Sequence, residues 1–584
     1  MKALVAVVFG LSGAGCVFPM PPPGDPVPGL SITLSGTSPY SGTLTISVAP
    51  FNYSPASVRF HLDGATTPTF VDSSAPFEYD LDTTAITDGT HKVSIRASDS
   101  TYTVIEKVQF VTRNDPNIVM IMVDDLDLTT TPFWDAMPQT RALVADQGIE
   151  FTNAFATDPT CCPARATMLT GRYPHNTGVF DNTSPDGGFP AFVASGAEAD
   201  TLATRLDAAG YDAALIGKYL NEYSADPTHL PPGWDEWFAL VDGWNDGYSY
   251  RANRNGVIET YGSDPDDYLT DVLATEALAY VDAQESSDDR PFMLWLAPSA
   301  PHAPLPPAPR HTINEFTDDP IPPRPNFGEV DVSDKPTWLR DGVSQITFGI
   351  AASMTNDYRD RMGALLAVDE MIAALFARLS ANGELSETVV LFISDNGYNL
   401  GSHRLSSKRA PYEESIRVPF LMAGPGIAAG GQTDGFVTHA DIAPTVLDLA
   451  GLPWSDTDGR SLEPLFDTSP APSWRTDFLV EYKGTYFPLD EDLDTLAQVQ
   501  AAIQAGSPMK VPTYRAVRNE QYLYVEWYST APHEYELYDM VADPYQLDNL
   551  VATPEGAALH EPTTTVLQAR LEELGSCAAA TCRT

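Results

Sequence analysis

The amino-acid sequence predicts an α/β protein in which a large, mostly parallel sheet is flanked by helices, with β-rich segments before and after it. Three observations carry this expectation. Between residues 114 and 473, continuous apolar runs alternate with helical periods, as expected for strands buried on both faces of a parallel sheet. From Leu30 to Arg113 apolar residues recur with period two. From Trp474 onward the runs shorten and alternate again.

The 584 residues carry 33 Lys+Arg and 79 Asp+Glu, a formal charge of 33 − 79 = −46. That balance argues against nucleic acid as a partner, because phosphate binding needs a basic surface. With 43% hydrophobic residues, 25 Phe, 25 Tyr and 9 Trp, the chain has ample material for a core and does not read as disordered.

Along the chain, residues 1–16 (MKALVAVVFGLSGAGC) have an early Lys, an apolar run and small residues before Cys16. The run is too short to span a bilayer of ~30 Å and has the proportions of a signal peptide. It also resembles a bacterial lipoprotein signal with Cys16 as the acylated residue, although Gly13 stands where Leu is usual. The expectation is an exported protein: a periplasmic or cell-surface lipoprotein touching the membrane only through its lipid, otherwise a secreted one. Residues 17–29 are a Pro-rich tether. Residues 30–113 read as a small β-sandwich, and DGTHKVSIRASD within them resembles bacterial immunoglobulin-like modules. The α/β domain follows over 114–473, with helical periods at Asp266–Gln284 and Tyr358–Ser380. An antiparallel subdomain over 474–584 ends in CAAATC, where Cys577 and Cys582 are expected to form a small disulfide loop.

Chemistry gathers where the buried runs end. Asn117–Val123 leads into Asp124 and Asp125, Ala213–Ile216 into Lys218, Phe292–Ala297 toward His302, and Val389–Ile393 toward Asp395 and Asn396. Ligand sites in such sheets lie beyond the carboxyl ends of the strands. A single Asp after a strand is often only a cap, but four strand ends converging argue for a site. Asp124, Asp125, Asp395 and Asn396 offer only oxygen ligands, which suits Ca²⁺ or Mg²⁺ rather than Zn²⁺. In Thr160-Cys161-Cys162-Pro163-Ala164-Arg165, Pro163 suits the first helical position and Gly171 the residue after the last turn. Cys161 then lies at a helix N-terminus, which favours negative charge. From these residues alone a buried cysteine pair or a vicinal disulfide also fits.

Cys-x-Pro-x-Arg followed by Ala-Thr-Met-Leu-Thr-Gly-Arg resembles the signature of the formylglycine-dependent sulfatases. The segments NIVMIMVDD, GKYLNEY, PSAPHAP, SDNGYNLGSHRL, KRAPYEESIRVPF and ELYDMVADPYQLDNL extend the resemblance over about residues 116–550. The CCPAR doublet and GKYLNEY are most similar to the N-acetylglucosamine-6-sulfatase and heparan sulfate 6-O-endosulfatase branch. The resemblance implies that a formylglycine-generating enzyme oxidises Cys161 to Cα-formylglycine, whose hydrate attacks sulfur and later expels sulfate. It further implies that Asp124, Asp125, Asp395 and Asn396 hold the metal. Arg165, Lys218, His302 and Lys408 would contact the formylglycine or the sulfate, and the substrate would be a sulfated saccharide. One departure concerns regeneration: Leu220, then Asn221, stand where many arylsulfatases carry His, which leaves the base open; His175 and His229 are candidate substitutes, though a lone His in a loop is more often structural. Arg404, Lys408, Arg409 and Arg417, with Arg165 and Lys218, form the expected anion-attracting patch. A phosphate or phosphonate ester hydrolase on the same scaffold, and an inactive carbohydrate-binding surface protein, are the competing readings.

Overall fold

The structure is a computed structural model that describes residues 2–4, 28–35, 43–83, 86, 89–112, 115–128, 132–285, 290–314, 316–466, 474–484, 511–528 and 533–583. The chain divides into two compact units, Met1–Asp115 and Pro116–Thr584.

In the first unit, Gly29–Leu34, Thr43–Phe51 and Phe77–Asp82 form one antiparallel sheet. Val58–Leu62, Phe70–Asp72, Gly89–Ser98 and Tyr102–Thr112 form a second, with Lys2–Leu4 added in parallel at one edge. The period-two pattern does its expected work: Phe77–Asp82 alternates buried and exposed at every residue. Leu44, Ile46 and Val48 from one sheet share a core with Phe60, Val93 and Ile95 from the other. The signal-peptide and tether expectations fall mainly on residues 5–27, outside the described residues.

The second unit is built on a ten-stranded sheet. In chain order its strands are β1 (Asn117–Val123), β2 (Ile149–Phe151), β3 (Asp212–Gly217), β4 (Glu236–Asp242) and β5 (Arg251–Arg254). Then come β6 (Val257–Thr260), β7 (Phe292–Ala297), β8 (Thr388–Ser394), β9 (Phe420–Ala423) and β10 (Gly431–Thr433). Their spatial order is β6-β5-β4-β3-β7-β1-β8-β9-β2-β10. Strands β4, β3, β7, β1 and β8 are mutually parallel, with antiparallel strands added on both sides.

Every residue of β1, β7 and β8 is buried, as their unbroken apolar runs require. Ile118, Met120 and Met122 enter one core cluster while Val119, Ile121 and Val123 enter the other, so both faces are covered. Helix α1 (Cys161–Thr170) contributes to the first cluster. Helices α2 (Leu269–Glu285) and α3 (Phe348–Ala381) cover the second face. Helix α3 starts ten residues before the expected Tyr358, because Thr347 caps it by accepting from the Ile350 N–H. Phe348 in this extension is 92% exposed, so no apolar stripe marks it in the sequence.

The C-terminal part is antiparallel, as expected: Asp477–Tyr482, Tyr514–Asn519, Tyr522–Trp527 and Glu534–Asp539 pair in chain order. Helix α4 (Pro554–Leu574) packs Leu567, Leu571 and Leu574 against Leu479, Val517 and Leu537 of that sheet. Cys577 and Cys582 are joined as expected. Among the described residues no helix is long and apolar enough to cross a membrane.

Candidate active site

Register brings the carboxyl ends of four parallel strands level. Gly217 pairs with Ala297, Leu296 with Ile121, and Val123 with Ser394. The next residues of each strand therefore emerge side by side at one edge. Asp124, Asp125, Asp395 and Asn396 are all essentially fully buried there. The Asp125 N–H donates to Asp395 Oδ1 at 3.1 Å, and Asn396 Nδ2 donates to Asp125 Oδ1 at 2.6 Å. Asp125 is held at φ 66°, an uncommon conformation for a residue with a Cβ. Arg361 from α3 fixes it by donating to its carbonyl oxygen and, at 3.1 Å, to that of Pro301.

Helix α1 begins at Cys161 itself, with Thr160 as N-cap and Gly171 closing the far end at φ 67°. The expected start at Pro163 is thus corrected by two residues. Proline is tolerated there because its absent N–H belongs to the first turn, whose donors lack helical partners anyway. Cys161 Sγ lies 3.6 Å from Asp124 Oδ1 and accepts from Lys408 Nζ at 2.7 Å. No vicinal disulfide forms: Cys161 and Cys162 are both free and buried. Cys162 instead sits in the core cluster beneath α1.

The expected cations all reach the cluster. Lys218 pairs with Asp124 and Lys408 with Asp125. Arg165 Nε donates to Asp395 Oδ2 at 2.8 Å, and its Nη1 donates to the Lys218 carbonyl at 2.6 Å. His302 Nε2 stands 3.6 Å from Asp125 Oδ2. Burial alone would raise the Asp124 carboxyl; Lys218, His302 and Arg165 outweigh it and hold the group well below the carboxylate range. Burial and the neighbouring Asp124 leave Asp395 raised. Burial also pushes the Cys161 thiol up to about 11 despite Lys218 and Lys408, so as a plain thiol it is a poor nucleophile near neutrality.

The cluster fits a hard divalent cation. One oxygen each from Asp124, Asp125 and Asp395, together with Cys161 Sγ, lie within 4.8 Å of one another. Asn396 spends its Nδ2 on Asp125 and Gly397, and among the described residues its buried Oδ1 has no hydrogen-bond partner. An amide oxygen left in that position beside three carboxylates is the donor set that Ca²⁺ or Mg²⁺ takes.

The replacement bases are engaged elsewhere: His175 Nδ1 binds Glu481 Oε1 at 2.6 Å and its Nε2 the Cys577 carbonyl at 3.0 Å, while His229 binds Glu198 at 2.9 Å. Leu220 is 3% exposed and belongs to the core. The remaining residues of the expected patch each have partners. Arg404 donates to the Glu329 and Val330 carbonyls, Arg417 to that of Thr152, and Arg409 to Asp181. Two site residues carry no motif in the sequence. Trp244 lies over Lys218 at 4.6 Å and beside the His302 ring at 5.6 Å. Arg361 was open to detection, since it interrupts the apolar stripe Tyr358, Met362, Leu365 of its helix.

The sulfatase family model matches residues 116–452, more than half of the chain and all ten strands of this sheet. The chain belongs to the sulfatase family. Its chemistry is sulfuric ester hydrolysis. The goat (Capra hircus) N-acetylglucosamine-6-sulfatase is 33% identical over 494 residues, covering 80% of this chain and 85% of that protein. An extracellular sulfatase SULF-1 homolog of Drosophila melanogaster is 34% identical over 400 residues, 67% of this chain and 34% of that protein. A solved structure of a protein in complex with its substrate, D-glucosamine-2-N,6-O-disulfate, matches this sulfatase with a TM-score of 0.63 at 25% identity. The match covers 79% of this chain and 97% of that one.

Proposed function

We propose that the enzyme removes sulfate from a sulfated sugar of the N-acetylglucosamine-6-sulfate type, with Cys161 matured to Cα-formylglycine by a formylglycine-generating enzyme. The observation that carries this is the meeting of Cys161, Lys218, His302 and Lys408 around one oxygen-donor cluster, in a chain similar to N-acetylglucosamine-6-sulfatase. Hydrated formylglycine supplies a hydroxyl nucleophile for sulfur and a route back to the aldehyde.

The chain's own residues supply binding and proton control. Three carboxylates face three cations, 3 − 3 = 0. A divalent metal held by Asp124, Asp125, Asp395 and Asn396 would leave the cluster net positive, which favours a sulfate ester. Lys218 and Lys408 bind sulfate oxygens as charge moves toward the bridging oxygen. Arg165 braces Asp395 and the backbone at Lys218. His302 holds the proton for the leaving alcohol. The base for sulfate release falls to neither His175 nor His229.

The deciding experiment is mass spectrometry of the Cys161 peptide from active enzyme. An aldehyde at 161 with an intact thiol at 162 is expected. Cys161→Ala should lose all sugar sulfate cleavage, and Cys162→Ala should keep a substantial share. A free thiol at 161 in fully active enzyme contradicts the reading.

For the first unit, two antiparallel sheets sharing one core support an immunoglobulin-like module over residues 30–113. We read residues 1–16 as an export signal with Cys16 as the lipidated residue, and 17–29 as a tether; the edge strand Lys2–Leu4 would leave with the signal.

A further inference from the structure

Strand β4 lies beside β3, which carries Lys218 at its end. After Asp242 the chain makes the turn Gly243-Trp244-Asn245-Asp246-Gly247, with both glycines left-handed at φ 73° and 72°. A side chain at either glycine would strain that backbone. The glycines thus fold a short turn back over the strand ends and deliver one aromatic side chain to the site. The Trp244 ring lies 4.6 Å from Lys218 Nζ and 5.6 Å from the His302 ring, edge-on at 73°. Trp244 is half-buried, and Asn245 and Asp246 beside it are exposed.

The placement follows from chemistry. His302 serves the oxygen that leaves, so the carbon skeleton on that oxygen must lie within a few ångströms of the His302 ring. Lys218 serves the sulfate. A ring that touches both residues borders the junction between sulfate and alcohol, on the alcohol's side. We infer that Trp244 is a specificity-determining residue: its indole packs against the pyranose that carries the ester, with Asn245 and Asp246 exposed beside it in the same turn. The apolar C–H face of a pyranose suits an aromatic plane, and the nearby polar side chains suit its rim. The inference rests on the sugar sulfate reading of this same site.

Product inhibition separates the two halves of the site. Inorganic sulfate reads the lysine side and N-acetylglucosamine the sugar side. In Trp244→Ala, KM for N-acetylglucosamine 6-sulfate and Ki for N-acetylglucosamine should each rise about ten-fold. That is the factor expected if the ring keeps about 50 Å² of apolar surface dry. Because the ring also lies over Lys218, Ki for inorganic sulfate should rise by a clearly smaller factor than Ki for N-acetylglucosamine. Trp244→Phe, which retains a ring, should recover most of the sugar affinity, and thermal melting of both variants checks folding. Equal rises for sulfate and sugar would overturn the inference, placing Trp244 on Lys218 alone; no change in either would overturn it as well. A wild-type enzyme that leaves N-acetylglucosamine 6-sulfate uncut, while cleaving another sulfate ester, would refute the sugar reading first and this inference with it.

Discussion

His302 reaches the site from the segment after β7 and shows its Nε2 to Asp125, while its buried Nδ1 has no hydrogen-bond partner among the described residues. A sugar alkoxide is a poor leaving group and needs a proton; nitrophenolate does not. In His302→Ala, cleavage of N-acetylglucosamine 6-sulfate should therefore fall at least ten-fold further than cleavage of nitrophenyl sulfate, compared through kcat/KM. Equal losses would move His302 to sulfate binding. The residues that sequence could reveal are those with a fixed spacing or a strand before them: Cys161 through its motif, and the carboxylates through the apolar runs they end. Trp244 has neither. Its role arises only where a turn folds back over β3 and β4, and a lone Trp between two glycines carries no such message.

Between elements, contacts at the strand ends set stability. The carboxylate cluster proposed to hold the metal joins β1 to β8, so chelation should abolish turnover and lower the melting temperature together, because uncompensated carboxylates repel. Full activity after rigorous metal removal would assign the carboxylates another purpose. A second link joins β8 to the turn His439–Asp441: His439 Nε2 donates to the Ser394 carbonyl at 3.0 Å. Burial pushes His439 down to about 4, although that carbonyl favours the charged ring. Below about 6.5 the unfolded chain takes up a proton that the folded chain refuses until about 4. The stability that His439 contributes is therefore present above 6.5 and declines as pH falls toward 4, by roughly 2–3 kcal/mol at pH 4.5. Urea unfolding at pH 7 and 4.5 should show a smaller acid loss for His439→Gln, and an unchanged loss would place the neutral histidine elsewhere. The strands themselves were legible because double-sided burial demands unbroken apolar runs. The first turns of α3 were not, because an exposed helix start owes its place to a cap and not to a stripe.

At the scale of the molecule, the charge of −46 opposes the cations around one pocket. Screening over ~8 Å at physiological salt hides distant acidic groups from a small ester. A long polyanion meets that acidic surface over many such lengths. A 6-sulfated mono- or disaccharide should therefore show a higher kcat/KM than polymeric heparan sulfate, with added salt narrowing the gap. Faster action on the polymer that weakens with salt would reveal a basic binding surface elsewhere. The three-part texture of the chain was readable from period alone, because a two-sided sheet and one-sided sheets differ in which residues must be apolar. How four strand ends align was not, since register is a property of pairing.

Every residue of α1 from Cys161 to Thr170 is buried. On the reading proposed above, the enzyme that oxidises Cys161 must reach it before the fold closes. Maturation on that reading is a race between two clocks, one catalytic and one set by folding. A chain that folds first is sealed in a silent form, and adding the maturation enzyme afterwards should restore nothing until the chain is unfolded again.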